Sequence, residues 1–386
     1  MWDAVVVGAG PAGCKVAADL AGTHDVLVLE EHAVSGIPMQ CTGLLSHEAI
    51  GMSGVRPRIL NELHGAHVHF PGGAVVTARS REPKAALVMR DEVDSLMASE
   101  AKAAGAEIRY SERYLGHTVR DGLVSVETTG GRYEAKAVIG ADGHRSAVSM
   151  AMGNNPPRYF VRGIQVDLEH AMGEQDMMVI RLGSSLAPGF FTWQIPFGER
   201  TRVGLAVGSG YGPPAPYLKR LLAESGLESA RVVGKHSGII PLEYARKTYG
   251  DGSMLIGDSA GHVKPVSGGG LHPAFVASGV LSRVFREADS RGDFSAGFLS
   301  AYERGWKRAM GGELGRGRLL RRLYDAATDA DLDRAAEIVE RRGLSEILDG
   351  IDLDRPSKVA MAVLARPLAA LGLLPTALRC FLGALR

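Results

Sequence analysis

The 386-residue sequence has few cysteines, little net charge and no long apolar run. Its three cysteines, Cys14, Cys41 and Cys380, lie far apart, which argues against a disulfide framework or a zinc site and favours a reducing compartment. A net charge of +1 gives no basic field for binding nucleic acid. Because no run of about 18 uncharged apolar residues occurs, a transmembrane helix is not expected. The first residues read as a strand, so we expect no secretory signal.

The composition is otherwise that of an ordinary globular protein. Apolar residues make up 45% of the chain and charged residues 23%. The length is sufficient for a sizeable core with two or three subdomains around it. The 50 glycines cluster in a few loops and show no period, so an internal repeat is not indicated.

A glycine-rich turn near the N-terminus has the full context of a dinucleotide-binding motif. The stretch "GAGPAG" (8–13) follows an apolar strand predicted over 4–7 and opens a predicted helix. A second apolar strand, predicted over 26–29, ends at an acidic residue about 20 positions after the first glycine. That residue, Glu30, can accept hydrogen bonds from ribose hydroxyls. Glu31 is the adjacent competitor, but the alternation of the strand favours Glu30.

Two later stretches favour FAD over NAD as the dinucleotide. In "AKAVIGADGHRSAV" (135–148) an apolar strand runs into Asp142 and Gly143. In "GSMLIGDSAGHVKPVSGGGLHPAFVASGVL" (252–281) another strand precedes Asp258 and a glycine cluster that opens a helix. This order would bring Asp258 to a ribityl chain and the helix N-terminus to the flavin, where its positive end would stabilise the reduced flavin anion. Either aspartate alone could be an ordinary turn or cap residue.

With these stretches the sequence resembles the FAD-dependent hydroxylase-type flavoproteins, which are similar in fold to p-hydroxybenzoate hydroxylase. Arg90, in "ALVMRDEVDSLMASEAKAAGAEI" (86–108), also matches an arginine that often touches FAD in these proteins. The alternative is a solvent-exposed arginine at a helix start. The resemblance implies an α/β fold, α+β overall, in which an antiparallel β-sheet substrate domain is inserted into a Rossmann-like FAD-binding domain and a helical region follows.

Within that superfamily the sequence resembles the geranylgeranyl reductase family over roughly residues 1–300. The motifs that carry the resemblance are "GIPMQCTGLLS" (36–46), "GDSAGHVKPVSGGGL" (257–271) and "PGFFTWQIPFG" (188–198). One departure is His272, after the triple glycine, where members of the family more often carry small or aromatic residues. His272 is either an additional proton donor or a helix-start residue before a proline.

The resemblance implies a set of site residues. The expected catalytic residue is Cys41, and no metal ligand is expected. The expected cofactor-binding residues are Gly8, Gly10, Ala12, Gly13, Glu30, Cys41, Thr42, Leu44, Arg90, Asp258, Gly270 and Leu271. The expected substrate-contacting residues are Phe191, Trp193 and Pro196, and strict strand alternation would put Phe190 on the opposite face from Phe191.

The order of the predicted elements divides the chain into three parts. The FAD-binding domain is expected to be discontinuous, over 1–60, 84–150 and 245–290. Strand signals predict a substrate domain over 61–83 and 151–244, including a hairpin at 66–78. Residues 291–386 are expected to form a C-terminal helical region.

The family resemblance implies an FAD-dependent reductase that saturates C=C bonds of geranylgeranyl chains in membrane ether-lipid precursors. The expected chemistry is hydride transfer from flavin N5 together with a proton, for which Cys41 is either the donor or a residue that shapes the flavin face. The first alternative is an FAD-dependent monooxygenase of the same fold. The second is a non-catalytic flavoprotein that binds prenyl lipids.

The expected partners follow from this chemistry. The substrate would be a prenylated lipid or a prenyl diphosphate. Without a second GxGxxG motif, the electron donor is NAD(P)H bound transiently or a ferredoxin. The apolar tail (356–386), with interspersed arginines, is either an interfacial membrane segment or a helical pair on the main domain. The expected location is cytoplasmic, peripheral at the inner face of the cell membrane.

Overall fold

The computed structural model describes residues 1–341, 352–366 and 379. The described residues form strands β1 (Trp2–Val7), β2 (Val26–Leu29), β3 (Leu44–Leu45), β4 (Ile59–Leu63), β5 (Gly65–His69), β6 (Val75–Arg79), β7 (Ala85–Val88), β8 (Glu107–Arg109), β9 (Tyr114–Arg120), β10 (Leu123–Thr128), β11 (Arg132–Gly140), β12 (Phe160–Leu168), β13 (Met177–Arg181), β14 (Thr192–Phe197), β15 (Arg200–Gly208), β16 (Val232–Pro241), β17 (Tyr249–Gly250) and β18 (Ser253–Leu255). Their helices are α1 (Pro11–Ala21), α2 (His47–Ser53), α3 (Arg90–Ala103), α4 (Ala147–Ala151), α5 (Ala215–Glu224), α6 (Leu271–Arg291), α7 (Ala296–Trp306), α8 (Gly312–Ala326), α9 (Asp329–Arg341) and α10 (Ser357–Leu364).

The first sheet has the order β17-β18-β11-β1-β2-β8, with β10 and β9 added beside β11. Its central strands β2, β1, β11 and β18 are parallel neighbours. These strands contain short runs of buried apolar residues, mainly Val, Leu, Ile and Ala, as is typical of a parallel sheet that is covered on both faces. Helices α1, α3 and α6 cover one face, and β9, β10 and α4 supply apolar residues to the other. The Rossmann-like α/β fold is therefore confirmed.

The second sheet has seven strands in the order β16-β12-β15-β14-β13-β5-β6. The hairpin predicted at 66–78 is confirmed as β5 and β6. The expectation of an antiparallel sheet is wrong at one pairing, because β13 and β5 run parallel. These two strands come from distant parts of the chain, so no hairpin connection imposes an antiparallel direction on them. A small third sheet, β3-β7-β4, contains the strand that follows the Cys41 loop, residues 36–43.

The three-part division of the chain stays a prediction. The first sheet takes its strands from 2–29, 107–140 and 249–255, and the second takes its strands from 65–79 and 160–241. Part of the predicted C-terminal tail, including Cys380, lies outside the described residues. Within the described ranges, no helix combines the length and the apolar character needed to cross a bilayer.

Candidate functional site

The glycine turn between β1 and α1 leaves open space over one of its glycines. Gly8 has φ +103°, and a Cβ on Gly8 would lie 2.5 Å from the Ala141 carbonyl oxygen. A Cβ on Gly13 would lie 2.0 Å from the Gly8 carbonyl oxygen. Both positions therefore require glycine. A Cβ on Gly10 would meet nothing within 4 Å, so a ligand phosphate can approach this backbone and the start of α1.

Glu30 lies against the glycine turn. Its carboxylate accepts a hydrogen bond from the Ala9 N–H at 2.8 Å through Oε2, and Oε1 accepts one from the His32 N–H at 2.9 Å. Glu30 is buried, whereas the neighbouring Glu31 is exposed. Glu30 thus lies against the glycine turn, while its role at the ribose stays a prediction.

Asp258 joins the second motif to the first. Gly257 has φ +68°, and a Cβ there would lie 2.8 Å from the Ala12 Cβ, so this turn packs directly on α1. Burial raises the pKa of the Asp258 carboxyl to about 6, while the positive charge of Arg90 opposes this rise. A Cβ on Gly270 would lie 3.1 Å from Asp258 Oδ1. The carboxyl therefore lies beside the residue that precedes Leu271, the first residue of α6.

Arg90, the first residue of α3, is buried and faces the site. Its guanidinium pairs with Asp94 at 2.8 Å. Burial is the largest influence on the pKa of Arg90 and lowers it, but Asp94 and then Cys41 raise it by more. The alternative of a solvent-exposed helix-start arginine is therefore wrong. Arg90 therefore lies near both Asp258 and Cys41 and connects the glycine motifs with the thiol.

The Cys41 loop is held by the second sheet. Gln165 on β12 donates a hydrogen bond from Nε2 to the Cys41 carbonyl oxygen at 3.0 Å. Its Oε1 accepts hydrogen bonds from the Thr42 hydroxyl at 3.0 Å and from Trp193 Nε1 at 3.2 Å. The Cys41 thiol is half-buried, and its sulfur lies 3.5 Å from the Gly43 nitrogen. One glutamine side chain thus fixes two successive residues of this loop.

Arg202 is a second residue that holds the Cys41 loop, and the sequence motifs did not predict it. It is fully buried on β15, pairs with Asp167 through bonds of 2.7 and 2.8 Å, and donates to the Thr42 carbonyl oxygen at 2.5 Å. Asp167 and Arg202 are directly opposite in the pairing of β12 with β15. An acidic and a basic residue within two otherwise apolar strands are the sequence feature from which this pair could have been predicted.

A buried polar atom without a partner lies at the second glycine cluster. It is the Ser267 hydroxyl, which has no hydrogen-bond partner among the described residues. A Cβ on Gly268 would lie 3.4 Å from the Phe190 ring, so this cluster also meets the aromatic loop. Together with the space over Gly10, these features fit a bound dinucleotide that supplies hydrogen-bond partners.

His272 has the contacts of a structural residue. It is buried, and its Nε2 lies 3.1 Å from Glu48 Oε1, while Nδ1 lies 3.9 Å from Asp354. Ligand atoms of these three residues lie within 4.8 Å of one another, but Lys264 already pairs with Asp354 at 2.8 Å. The cluster therefore joins α2, α6 and the 352–358 segment. The helix-start interpretation fits these contacts better than a role as proton donor.

The aromatic residues form one group, and the expected separation of Phe190 from Phe191 is wrong. Their rings stack at 4.3 Å because β14 begins only at Thr192, so the alternation of a strand does not apply to this pair. Phe191 and Trp193 meet edge to face at 6.3 Å. Arg321 on α8 lies 5.1 Å from the Phe190 ring, so α8 packs on this loop. Pro196 is buried within β14.

Comparisons with known proteins agree in family and fold. The model for "Lycopene cyclase protein" matches residues 3–344. The digeranylgeranylglycerophospholipid reductase 2 of Methanopyrus kandleri is 30% identical over 95% of this chain and 96% of its own. A geranylgeranyl bacteriochlorophyll reductase-like protein of Thermoplasma acidophilum superimposes with a TM-score of 0.85 at 22% identity, covering 97% of this chain and 99% of that one. A halogenase crystallised with FAD gives a TM-score of 0.70 at 16% identity, over 95% and 86% of the two chains.

Proposed function

Because this chain belongs to the digeranylgeranylglycerophospholipid reductase family, we propose that it is an FAD-dependent reductase that saturates C=C bonds of geranylgeranyl chains. One observation carries the proposal. Arg90 lies near both Asp258 and Cys41, which supports placing the thiol of the family motif in the same site as the dinucleotide motifs. The alternatives, a monooxygenase or a carrier of prenyl lipids, are outcomes of the test below.

FAD is the cofactor, and the residues of the site fit it. Glu30 would bind the adenine ribose, and Gly8, Gly10, Ala12 and Gly13 would receive the phosphates at the start of α1. Asp258 would bind the ribityl-phosphate half, and Thr42, Leu44, Arg90, Gly270 and Leu271 would surround the flavin. When bound and reduced, FAD supplies the hydride that one carbon of the double bond accepts.

Cys41 supplies the proton for the other carbon in this proposal. An isolated alkene has no carbonyl group to stabilise a carbanion, so proton delivery leads the reaction. The Cys41 Sγ–H donates the proton, which leaves a thiolate near the Arg90 guanidinium. Gln165 and Arg202 hold the backbone of the loop while the thiol reacts. A positioned donor contributes roughly 10²–10⁴-fold to the rate.

The substrate is a prenylated lipid, and the aromatic group at Phe191, Trp193 and Pro196 would contact its chain. These residues adjoin a buried apolar cluster that includes Leu87, Ile195 and residues of the second sheet. A prenyl chain gains roughly 0.8 kcal/mol per CH₂ on leaving water but almost nothing on leaving a bilayer for such a pocket. The enzyme would therefore take its substrate directly from the surface of the membrane.

The first experiment tests alkene reduction itself. The purified protein is loaded with FAD, reduced anaerobically with dithionite and mixed with a geranylgeranyl glycerophospholipid. We expect the flavin to reoxidise and the product to gain two hydrogens per saturated bond by mass spectrometry. Reoxidation only after oxygen is admitted, with a product that gains one oxygen atom, would establish the monooxygenase. Lipid binding without any turnover would establish the carrier.

Location and electron donor are separate parts of the proposal. We propose a cytoplasmic enzyme that is peripheral at the inner face of the membrane. It should float with anionic phospholipid vesicles at low ionic strength and dissociate as salt screens the attraction. Reduction of the flavin by NADH, NADPH or reduced ferredoxin, compared under anaerobic conditions, identifies the donor. A protein that stays at the bottom of the gradient with every vesicle composition contradicts the peripheral location.

A further inference from the structure

Two adjoining cavities lie outside the glycine turn. The first, of about 220 Å³, is bounded by α4, the loops 155–158 and 241–246, and α8. The second, of about 400 Å³, is bounded by residues 38–40 of the Cys41 loop and 235–239 of β16. His144 and Arg145 line both, so the two cavities adjoin at these residues.

The first cavity is lined by four arginines, and we call it the arginine cavity. They are Arg145, Arg158, Arg246 and Arg318. No carboxylate within ion-pair distance of these four guanidinium groups is present in the part of the chain that the structure describes. Arg318 instead lies 4.6 Å from the centre of the Tyr244 ring.

The acids of the arginine cavity do not neutralise it. Glu243 is engaged by the backbone N–H groups of Arg158 and Tyr159 at 2.8 and 3.1 Å. Asp258 also lines the cavity and lies beside Gly270. The lining holds four guanidinium groups against two carboxyl groups, a local excess of positive charge in a chain whose net charge is only +1.

His144 is a second and independent sign of a missing ligand. Its Nε2 is buried and has no hydrogen-bond partner among the described residues, although it lines both cavities. Burial lowers the pKa of His144, and Arg145 lowers it further, so the ring is neutral at pH 7 and can donate one hydrogen bond. The second cavity adds Lys235, whose side chain is exposed.

We propose that the arginine cavity binds a phosphate group. Guanidinium groups match phosphate oxygens in geometry and charge, and a neutral imidazole adds a further donor. None of residues 8–13 lines this cavity, but Asp258, which would bind the ribityl-phosphate half of FAD, does, so the proposed site adjoins the cofactor site at Asp258. The phosphate belongs either to the glycerophospholipid substrate or to a nicotinamide dinucleotide that donates electrons. The identity of the molecule that carries the phosphate rests on the proposed function, whereas the binding of phosphate itself does not.

The binding test uses the FAD-loaded protein and inorganic phosphate, titrated by calorimetry. We expect saturable binding that weakens about tenfold for each of Arg145→Gln and Arg246→Gln, whose exposed side chains hold no part of the fold. The matched control is Arg120→Gln, an exposed arginine on β9 away from both cavities, which should leave the affinity unchanged. No saturable binding to the FAD-loaded protein, or equal binding by the double variant, overturns the proposal.

Two kinetic arms identify the source of the phosphate. If the substrate carries it, the double variant raises KM for a geranylgeranyl glycerophospholipid but not for the same lipid without phosphate. If the electron donor carries it, the variant slows flavin reduction by NAD(P)H but not by dithionite. Unchanged kinetics in both arms contradict the assignment of the site to the enzyme's own ligands. Failure of alkene reduction in the wild type would refute the proposed function and leave the phosphate titration to decide this inference.

Discussion

Cys41 and Cys14 provide a matched pair of thiols for testing the proposed chemistry. Cys41 is half-buried in the site, whereas Cys14 is buried in α1, its Sγ lies 3.3 Å from the Ala9 carbonyl oxygen, and burial raises its pKa. We expect Cys41→Ala to retain FAD and to lower kcat roughly 10²–10⁴-fold, because the proton donor is lost. Cys14→Ala should leave kcat unchanged. Stopped-flow reoxidation of the reduced flavin measures both.

The outcome for Cys41 also separates two roles of the thiol. If it only shapes the flavin face, Cys41→Ala would alter the flavin absorbance while alkene reduction continued at the wild-type rate. Such a result would remove the catalytic assignment and leave the fold and the cofactor untouched. Cys41→Ser keeps the size of the side chain with a weaker acid, so its rate should lie between those of the wild type and the alanine variant.

Asp258 should make the stability of the FAD-free protein depend on pH. Its pKa is raised from 3.8 to about 6 by burial, so folding favours the protonated form and stability is lost as pH rises through this window. Asp258→Asn cannot ionise and escapes this loss. We expect the stability of the variant relative to the wild type to increase by about 1 kcal/mol between roughly pH 5 and pH 8. Urea unfolding at the two pH values measures the difference, and an equal difference at both contradicts the buried carboxyl.

At the residue scale, the sequence predicted candidate site residues that lie within a local sequence motif. Glu30 follows directly from the end of β2, and Cys41 from its loop motif. Gln165 and Arg202 were missed because they act on the Cys41 loop across more than a hundred residues of chain, through the pairing of β12 and β15. Such contacts depend on register, which local patterns do not specify.

The turn between β1 and α1 offers a test of cofactor binding at the scale of the element. Gly10 has φ −77°, and a Cβ added there would meet no atom within 4 Å. Gly10→Ala should therefore leave the fold intact. The added methyl group would occupy the space through which the phosphates approach. We expect FAD to bind at least about tenfold more weakly, by fluorescence titration.

Gly22→Ala is the control for this turn. Gly22 follows α1, has φ −65° and is equally open, but it lies at the other end of the helix from the glycine turn. FAD affinity should stay at the wild-type value. A loss of affinity in both variants would mean that the helix, rather than the approach of the phosphates, had been disturbed.

The link between β12 and the Cys41 loop can be tested with a second matched pair. Gln165→Met removes the hydrogen bonds to the Cys41 carbonyl and to Thr42, with little change in volume. We expect kcat to fall about tenfold at unchanged FAD content, because a loosened loop misplaces the thiol. Alkylation of Cys41 by iodoacetamide should also become faster.

Gln194→Met is the corresponding control. Gln194 on β14 bonds to Ser225, away from the loop, at 2.8 Å. Its variant should keep both kcat and the alkylation rate. If Gln165→Met behaves like Gln194→Met, the loop is positioned by its other contacts, chiefly that of Arg202.

At the scale of the whole molecule, the two sheets were predictable but not every pairing within them. Apolar runs with glycine turns predicted the parallel strands, and alternation predicted the hairpin of β5 and β6. The parallel pairing of β13 with β5 and the stacking of Phe190 on Phe191 were not predicted. Both depend on where distant segments meet in the folded chain, and α8 adds contacts to the aromatic loop that no strand pattern contains.

His262 should make the stability of the whole molecule sensitive to acid. It is fully buried, lies edge to face against Trp306 at 4.7 Å and Tyr302 at 6.4 Å, and thereby joins the Asp258 loop to α7. Burial lowers its pKa from 6.5 to about 3, so folding favours the neutral ring. This contribution is fully present above about pH 6.5 and is lost as pH falls towards 3.

His262→Phe keeps an aromatic ring in this position and removes the titrating group. Between roughly pH 8 and pH 5 the wild type should lose about 2 kcal/mol of unfolding free energy through His262, and the variant should not. The control is His170→Gln, which changes an exposed histidine and should follow the wild type. Urea unfolding of the FAD-loaded proteins at both pH values measures the loss. If His262 binds a proton only in the unfolded state, the wild type must lose more unfolding free energy in acid than His262→Phe does. Equal losses in the two proteins would show that acid acts on other groups.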